Sequence, residues 1–266
     1  MPIPKNENED IKQRGIKRGN LISRAKGLYE RKGFTSLVYT SIRYIQELIL
    51  TTAPNRCKLW YYKKFRSSDV FKFRDKEYHY LFHSYAPTWE NERCVMLPIA
   101  WDLVQSFQNR GKRILEVGNV LSYVFPVNHY VIDKYEIIEG VINEDISNFK
   151  TDKKFDLILS IVTLHFVGSD TVPRNPKLVL KAIENLKNVL SPEGMMIIFH
   201  PLGEYREVDE LLIKSSAVFQ KQFYLMRIFG YKWKEATWEE VKDLPYNHSV
   251  PTANAVVIGI IGSDDN

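Results

Sequence analysis

Residues 112–136, KRILEVGNVLSYVFPVNHYVIDKYE, limit what this chain can fold into more than any other stretch. They read as two short apolar strands, 113–117 and 130–132. The first ends in Glu116-Val117-Gly118-Asn119 and the second in Asp133. Strands that are apolar at successive positions suit a parallel sheet covered on both faces. In such a sheet, ligands bind outside the carboxyl ends of the strands. An acid about 20 positions after the first glycine turn is then placed to accept hydrogen bonds from ribose hydroxyls. Asp133 is that acid, and its spacing from Gly118 is a little short.

The downstream chain continues the alternation. Residues 140–146, GVINEDI, form a short strand ending in acids, and 155–160, FDLILS, an uninterrupted apolar strand followed by IVTLHFVG. Leu178, Val179, Ala182, Ile183, Leu186 and Leu190 recur at helical spacing, and Pro192-Glu193-Gly194 turns the chain into a strand over 195–199. A second amphipathic helix spans 207–218. Two β-rich runs, 223–228 and 255–261, flank a short helix within EATWEEVKD. Strand alternating with helix predicts an α/β, doubly wound, mostly parallel sheet. Upstream, residues 69–83 alternate around Asp75-Lys76 as a β-hairpin. A helix over 92–107 carries Val95, Ile99, Leu103 and Val104 on its apolar face, preceded by the polar cluster Tyr85, Thr88, Trp89, Asn91, Glu92 and Arg93.

With 266 residues and 44% apolar content the chain can bury a substantial core. Cys57 and Cys94 form no metal-spaced pair, which excludes a zinc motif and a disulfide framework and suits a reducing cytoplasm. No basic-apolar-small leader opens the sequence, and no apolar run reaches the 18 or so residues a spanning helix needs. The net charge of +5 is unevenly placed: residues 1–70 hold 15 Lys or Arg against 6 Asp or Glu, and the rest 22 against 26. Apolar positions from Leu21 to Ile49 follow helical spacing, with the cations mostly off that stripe. Residues 1–68 therefore read as a basic amphipathic helical extension and 69–266 as the α/β domain. Residues 16–66 suit three occupants: an anionic membrane surface on its cytoplasmic face, the protein's own body or a second copy, and RNA. RNA is the least favoured, since no stacking motif or zinc knuckle is present.

The ordered set of ILEVG, the second-strand Asp133, NEDI, FDLILS and LSPEG resembles the class I S-adenosylmethionine-dependent methyltransferases over residues 110–200, with a tail to 262. Its wording is closest to a prokaryotic branch associated with surface-glycan synthesis. The resemblance implies a Rossmann-like sheet of seven strands with the last inserted antiparallel. It implies S-adenosyl-L-methionine as cofactor, held by Glu116, Gly118, Asn119, Val120, Ser122, Asp133, Asp145, Ile146 and Ser160, with Asp133 on the ribose, Asp145 near the adenine amino group and Ile146 against the ring. The loop carries one glycine where relatives usually carry two or three. A glycan or sugar hydroxyl acceptor would need a base, for which His165 and then His200 are the candidates. Relatives in that branch read Leu-Glu-His-Val where this chain has Leu164-His165-Phe166-Val167, so the histidine stands one position earlier. Tyr85, Trp89, Arg93 and Asn254 would line the acceptor side, and no metal is required. Two other readings fit the same residues: methylation of a small metabolite or RNA, and a non-catalytic binding protein that keeps the fold.

Overall fold

The computed structural model describes residues 54–214 and 218–263. The chain divides at Pro54, and the central sheet with its covering helices belongs to the compact unit Asn55–Asn266. The amphipathic helices expected over 21–49 lie outside the described residues. Helix α1, Asn55–Phe65, packs on the residues that follow it: Tyr62 stacks on Phe82 and Trp89, and Lys58 Nζ meets Glu90 Oε1 at 2.7 Å.

Strands β1 (Val70–Phe73) and β2 (Lys76–His79) form the expected hairpin. Its two turn residues are Arg74 and Asp75, both at positive φ, one position earlier than the alternation implied. Two left-handed residues in succession match the right-handed twist of the strands they join. The hairpin is fixed to the domain by the Tyr80 hydroxyl, which donates to the Trp233 carbonyl at 3.3 Å and accepts from the Trp233 N–H at 2.9 Å.

Helix α2, Arg93–Asn109, contains Pro98. A proline inside a helix frees the carbonyl four residues earlier, and the Cys94 carbonyl accepts the Leu81 N–H at 3.0 Å instead. A sequence defect in the helix thus anchors the loop leading into it. Val95, Ile99 and Val104 are buried as expected, whereas Leu103 is only partly covered.

The central sheet runs β5 (Val141–Ile142), β4 (Tyr130–Ile132), β3 (Ile114–Val117), β6 (Phe155–Ile161), β7 (Leu190–Pro201), β10 (Ala255–Gly262), β8 (Lys221–Phe229) and β9 (Lys232–Ala236). The first five strands are mutually parallel, and β10 is antiparallel to both neighbours. The doubly wound fold class with its inserted antiparallel strand is therefore present. The sheet has eight strands rather than seven, because Lys232–Ala236, between the two β-rich runs, pairs with β8 as an edge strand. Every residue of β3 is buried, Glu116 along with the three apolar residues. One face is covered by α2 and the hairpin, the other by α3 (Leu178–Val189), which buries Val179, Ala182, Ile183, Leu186 and Val189.

The helix expected over 207–218 is one α turn, α4 (Arg206–Asp209), running into a π turn at Glu210–Lys214. The short helix α5, Trp238–Val241, begins with a capping box between Thr237 and Glu240. Gly259 in β10 lies under the Phe219 ring, which a Cβ would meet at 2.3 Å. Gly259→Ala should therefore cost about 1–3 kcal/mol in urea unfolding, and Phe219→Leu in the same chain should recover part of it. An unchanged midpoint for the single variant would show that the ring is free to move.

Candidate active site at the carboxyl edge

The tips of β3, β4 and β6 frame the site. Between β3 and β4 a crossover helix is absent, and a single 3-10 turn, Leu121–Tyr123, takes its place. A buried carboxylate sets that turn. Glu116, fully inaccessible, accepts the Val120 and Leu121 N–H groups on Oε1 at 2.9 and 2.8 Å and holds His129 Nε2 at 2.9 Å on Oε2. The turn's orphan N–H groups are satisfied from below by the strand that precedes it. Around it, Asn119 Nδ2 donates to Glu136 Oε2 at 2.6 Å, the Tyr123 hydroxyl donates to Glu136 Oε1 at 2.6 Å, and the Ser122 hydroxyl donates to Asn119 Oδ1. The bond to Glu136 pushes the Tyr123 phenol up to about 12. Tyr85 stacks flat on Tyr123, with ring centroids 4.5 Å apart.

Gly118, at φ +84°, is required by its neighbour: a Cβ there would lie 2.1 Å from Thr163 Oγ1. Thr163 follows Val162, a β-branched residue at φ +50° held by its N–H bond to the Phe199 carbonyl at 3.0 Å. Positive φ at a β-branched residue is a genuine outlier, and such strain concentrates at functional edges.

A cleft with about 480 Å³ of open space lies beside this contact, lined by Gly118, Asp133, Asp145, Ile146, Thr163 and Phe166 among others. Asp133 projects from the end of β4. Its Oδ1 accepts the Tyr135 and Glu136 N–H groups at 2.8 and 3.0 Å, and its Oδ2 accepts the Asn119 N–H at 3.2 Å. Two oxygens offer about four acceptor sites, so Oδ2 retains capacity toward the cleft. Asp145 Oδ1 accepts the Ser147 N–H at 2.8 Å, and Lys134 Nζ bridges Asp145 Oδ2 at 2.8 Å and Asp170. Burial works against the Asp145 charge, but Lys134 and Ser147 outweigh it and hold the carboxyl below its ordinary range; the same ammonium lowers Asp170. Lys134, Tyr135, Glu136, Phe166 and Asp170 have no role that the sequence alone assigns. The only signal for them is adjacency to the motifs, in VIDKYE and in the run after FDLILS.

Of the expected cofactor residues, Gly118, Asp133, Asp145 and Ile146 line one cleft. Glu116, Asn119, Val120 and Ser122 build the loop from within. Ser160 is buried in β6 with its hydroxyl unpartnered. On the acceptor side, Tyr85 covers the loop, while Trp89 is buried against Tyr62 and donates to Glu90 at 3.2 Å. Asn254 Nδ2 donates to the Pro245 carbonyl at 2.6 Å. Asn91 accepts the Arg93 N–H at 3.0 Å at the start of α2, a capping contact.

The displaced histidine changes direction as well as position. Phe166 is exposed at the cleft, whereas His165 is 1% accessible, its Nε2 3.2 Å from Glu204 Oε2 without the alignment of a hydrogen bond. Desolvation pushes His165 down from 6.5 to about 4, against the pull of Glu204. His200 Nε2 lies 2.6 Å from Asp209 Oδ1, and the two imidazoles are 5.6 Å apart between centroids. Two histidines, each with its own carboxylate, therefore share the carboxyl ends of β6 and β7. Among the described residues there is no cluster of three or more metal-ligating side chains, and no helix is long and apolar enough to cross a membrane.

No family model matches the sequence, and no curated protein matches it. Among solved structures, the chain is similar to the N-methyltransferase NodS of Bradyrhizobium japonicum in complex with S-adenosyl-l-homocysteine, at 14% identity over 67% of this chain and 96% of that one, TM-score 0.36. It is also similar to a possible histamine N-methyltransferase of Thermotoga maritima, at 17% identity over 61% and 93%, TM-score 0.35. A third is the amino pentose methyltransferase CalS10 of Micromonospora echinaspora, at 18% identity over 41% and 50%, TM-score 0.28. Likenesses this faint carry no functional weight, and the chemistry of the site must supply it.

Because folded His165 stays neutral down to about pH 4 while the unfolded residue protonates near 6.5, stability should fall as pH drops through that window, by on the order of 3 kcal/mol at its lower end. Urea unfolding at pH 7 and 4.5 measures it. His165→Gln should flatten the slope, and an equal slope in both proteins would place the titration elsewhere.

Proposed function

We propose that this protein is an S-adenosylmethionine-dependent methyltransferase acting on a hydroxyl of a glycan or sugar intermediate. The observation that carries the reading is the cleft in which Asp133, at the end of β4, faces open space between the Gly118–Thr163 contact and the apolar walls of Ile132 and Ile146. That lining suits a nucleoside: an acceptor with spare capacity for ribose hydroxyls, apolar side chains for a ring, and a second acid, Asp145. Glu116 serves by ordering the loop, and Gly118 by letting two strand tips meet. When bound, the cofactor supplies an electrophilic methyl, and the protein's task is alignment, a positioning effect of roughly 7–11 kcal/mol.

A hydroxyl acceptor must lose its proton as it reacts. Neutral His165 has a lone pair for it, and Glu204 Oε2 stands 3.2 Å from its Nε2. His200 with Asp209 forms the second pair, one step further along the same edge.

Asp133→Ala should weaken S-adenosylhomocysteine binding by roughly 10-fold or more in calorimetry, the worth of one or two hydrogen bonds to a charged group. Unaltered affinity would remove the ribose assignment. Wild-type protein that binds neither cofactor nor product would instead be a non-catalytic version of the fold.

One observation favours an anionic membrane surface as the working location. On α1, Trp60 and Phe65 are 58% and 52% exposed beside Lys63, Lys64 and Arg66, with Lys64 Nζ 4.9 Å from the centre of the Trp60 ring. Large aromatics ringed by cations suit the headgroup boundary. The full chain should float with phosphatidylglycerol vesicles, and Trp60→Ser with Phe65→Ser should reduce the bound fraction several-fold. Equal flotation of both proteins would reject this surface.

A further inference from the structure

Buried donors without acceptors are rare in folded proteins, since a guanidinium N–H taken out of water and left unpaired is costly. Among the described residues, two arginines carry such donors, and both stand at the carboxyl edge beside the histidine pair. Arg174 has Nε and Nη2 inaccessible and unpartnered, its guanidinium lying 3.9 Å from the centre of the Tyr205 ring. Arg93, at the start of α2, has Nε inaccessible and unpartnered, while its Nη1 makes a long 3.3 Å bond to Glu92 Oε1. Glu92 accepts the Ala253 N–H at 3.0 Å and the Thr252 hydroxyl at 3.2 Å on Oε2 and meets Arg93 Nη1 on Oε1, which leaves Arg93 Nε still without an acceptor.

Tyr205 connects the first arginine to the site. Its ring is 5.9 Å from both His165 and Phe166, and Phe166 lines the cleft. Arg93 is near enough for its charge to bear on His165 and on Tyr246. The carboxylate facing the same region is Glu204, which is directed at His165, while Asp209 is directed at His200 and the Gly203 N–H. Asp209 is thus bonded to His200, Glu204 stands nearest His165, and neither acid pairs with the two guanidinium groups.

We infer that the acceptor carries an oxyanion, a phosphate or a carboxylate, and that Arg93 and Arg174 bind it. This deepens the methyltransferase reading and rests on it: the sugar whose hydroxyl is methylated would be a phosphorylated sugar or a uronic acid rather than a neutral one. A guanidinium presents its N–H groups as a fork matched to either oxyanion. Arg174, pre-oriented by the Tyr205 face, loses little freedom on binding.

The test compares glucose 1-phosphate, glucuronate and methyl glucoside by calorimetry on the full chain, in the presence of S-adenosylhomocysteine. Wild-type protein should bind at least one charged sugar 10-fold or more tighter than the neutral one. Preference for the phosphate alone, for the uronate alone, or for both identifies the source of the charge. Arg174→Gln and Arg93→Gln should each remove most of that preference while leaving S-adenosylhomocysteine affinity intact, which also shows that the variants fold. Arg174→Lys, keeping charge without the fork, should fall between. Retained product binding with no preference for charged sugars in the wild type, or a preference untouched by both Gln variants, overturns the inference alone. Loss of product binding in the wild type with the preference retained overturns the transferase reading and leaves the anion site standing.

Discussion

The buried carboxylate of Glu116 is the contact on which the carboxyl edge depends. A parallel β3–β4 pair normally needs a helix to carry the chain back, and this chain crosses in a single 3-10 turn. The turn can be that short because Glu116 satisfies its N–H groups from inside and fastens His129 on the far side. An acid at this place would be a liability if unpartnered, since a buried charge is tolerated only when well hydrogen-bonded. Here it replaces the hydrogen bonds that a helix would have closed, and the shortened crossover brings Asn119 and Asp133 into contact.

The short crossover has consequences across the rim. With no helix over the loop, Tyr123 and Glu136 cover it instead, and Tyr85 closes on Tyr123 from the segment before α2. The same segment is tied to the far end of the chain, where Glu92 accepts from Thr252 and Ala253 just before β10. Arg227 strengthens that junction, donating to the carbonyls of Ala253, Glu90 and Gly230. Residues far apart in sequence thus hold one rim, and the candidate acceptor side is assembled from the start of α2, the ends of β6 and β7, and the loop before β10.

The parts of this arrangement legible in the sequence are those that depend on local pattern. Mostly apolar runs at 114–117 and 155–161 mark buried parallel strands, and the helical spacing at 178–189 marks a helix whose buried face is the one expected. Asp133 and Asp145 stand out because acids at strand ends mark ligand edges in this topology. What the sequence hides depends on direction. Nothing in LHFV tells which of two adjacent residues faces the cleft, and a 3-10 turn starting at Leu164 places Phe166 outward and His165 inward. β9 is illegible because KWKEA, an edge strand, offers a single large apolar residue, Trp233, and no apolar pattern. The turn at Arg74-Asp75 is hard to place because neither residue is the glycine or asparagine that usually marks positive φ. Glu204 and Arg174 sit in polar loops with no motif, and only the fold brings them to the histidines.

A crystal structure of the full chain with S-adenosylhomocysteine would test the role of the cleft most directly. It should show the adenosine in the cleft with its ribose hydroxyls on the Asp133 carboxylate, the Glu116 bonds to Val120 and Leu121 intact, and the loop in its present conformation. A nucleoside found elsewhere on the molecule, or a loop rebuilt into a helix with Glu116 released, would contradict it.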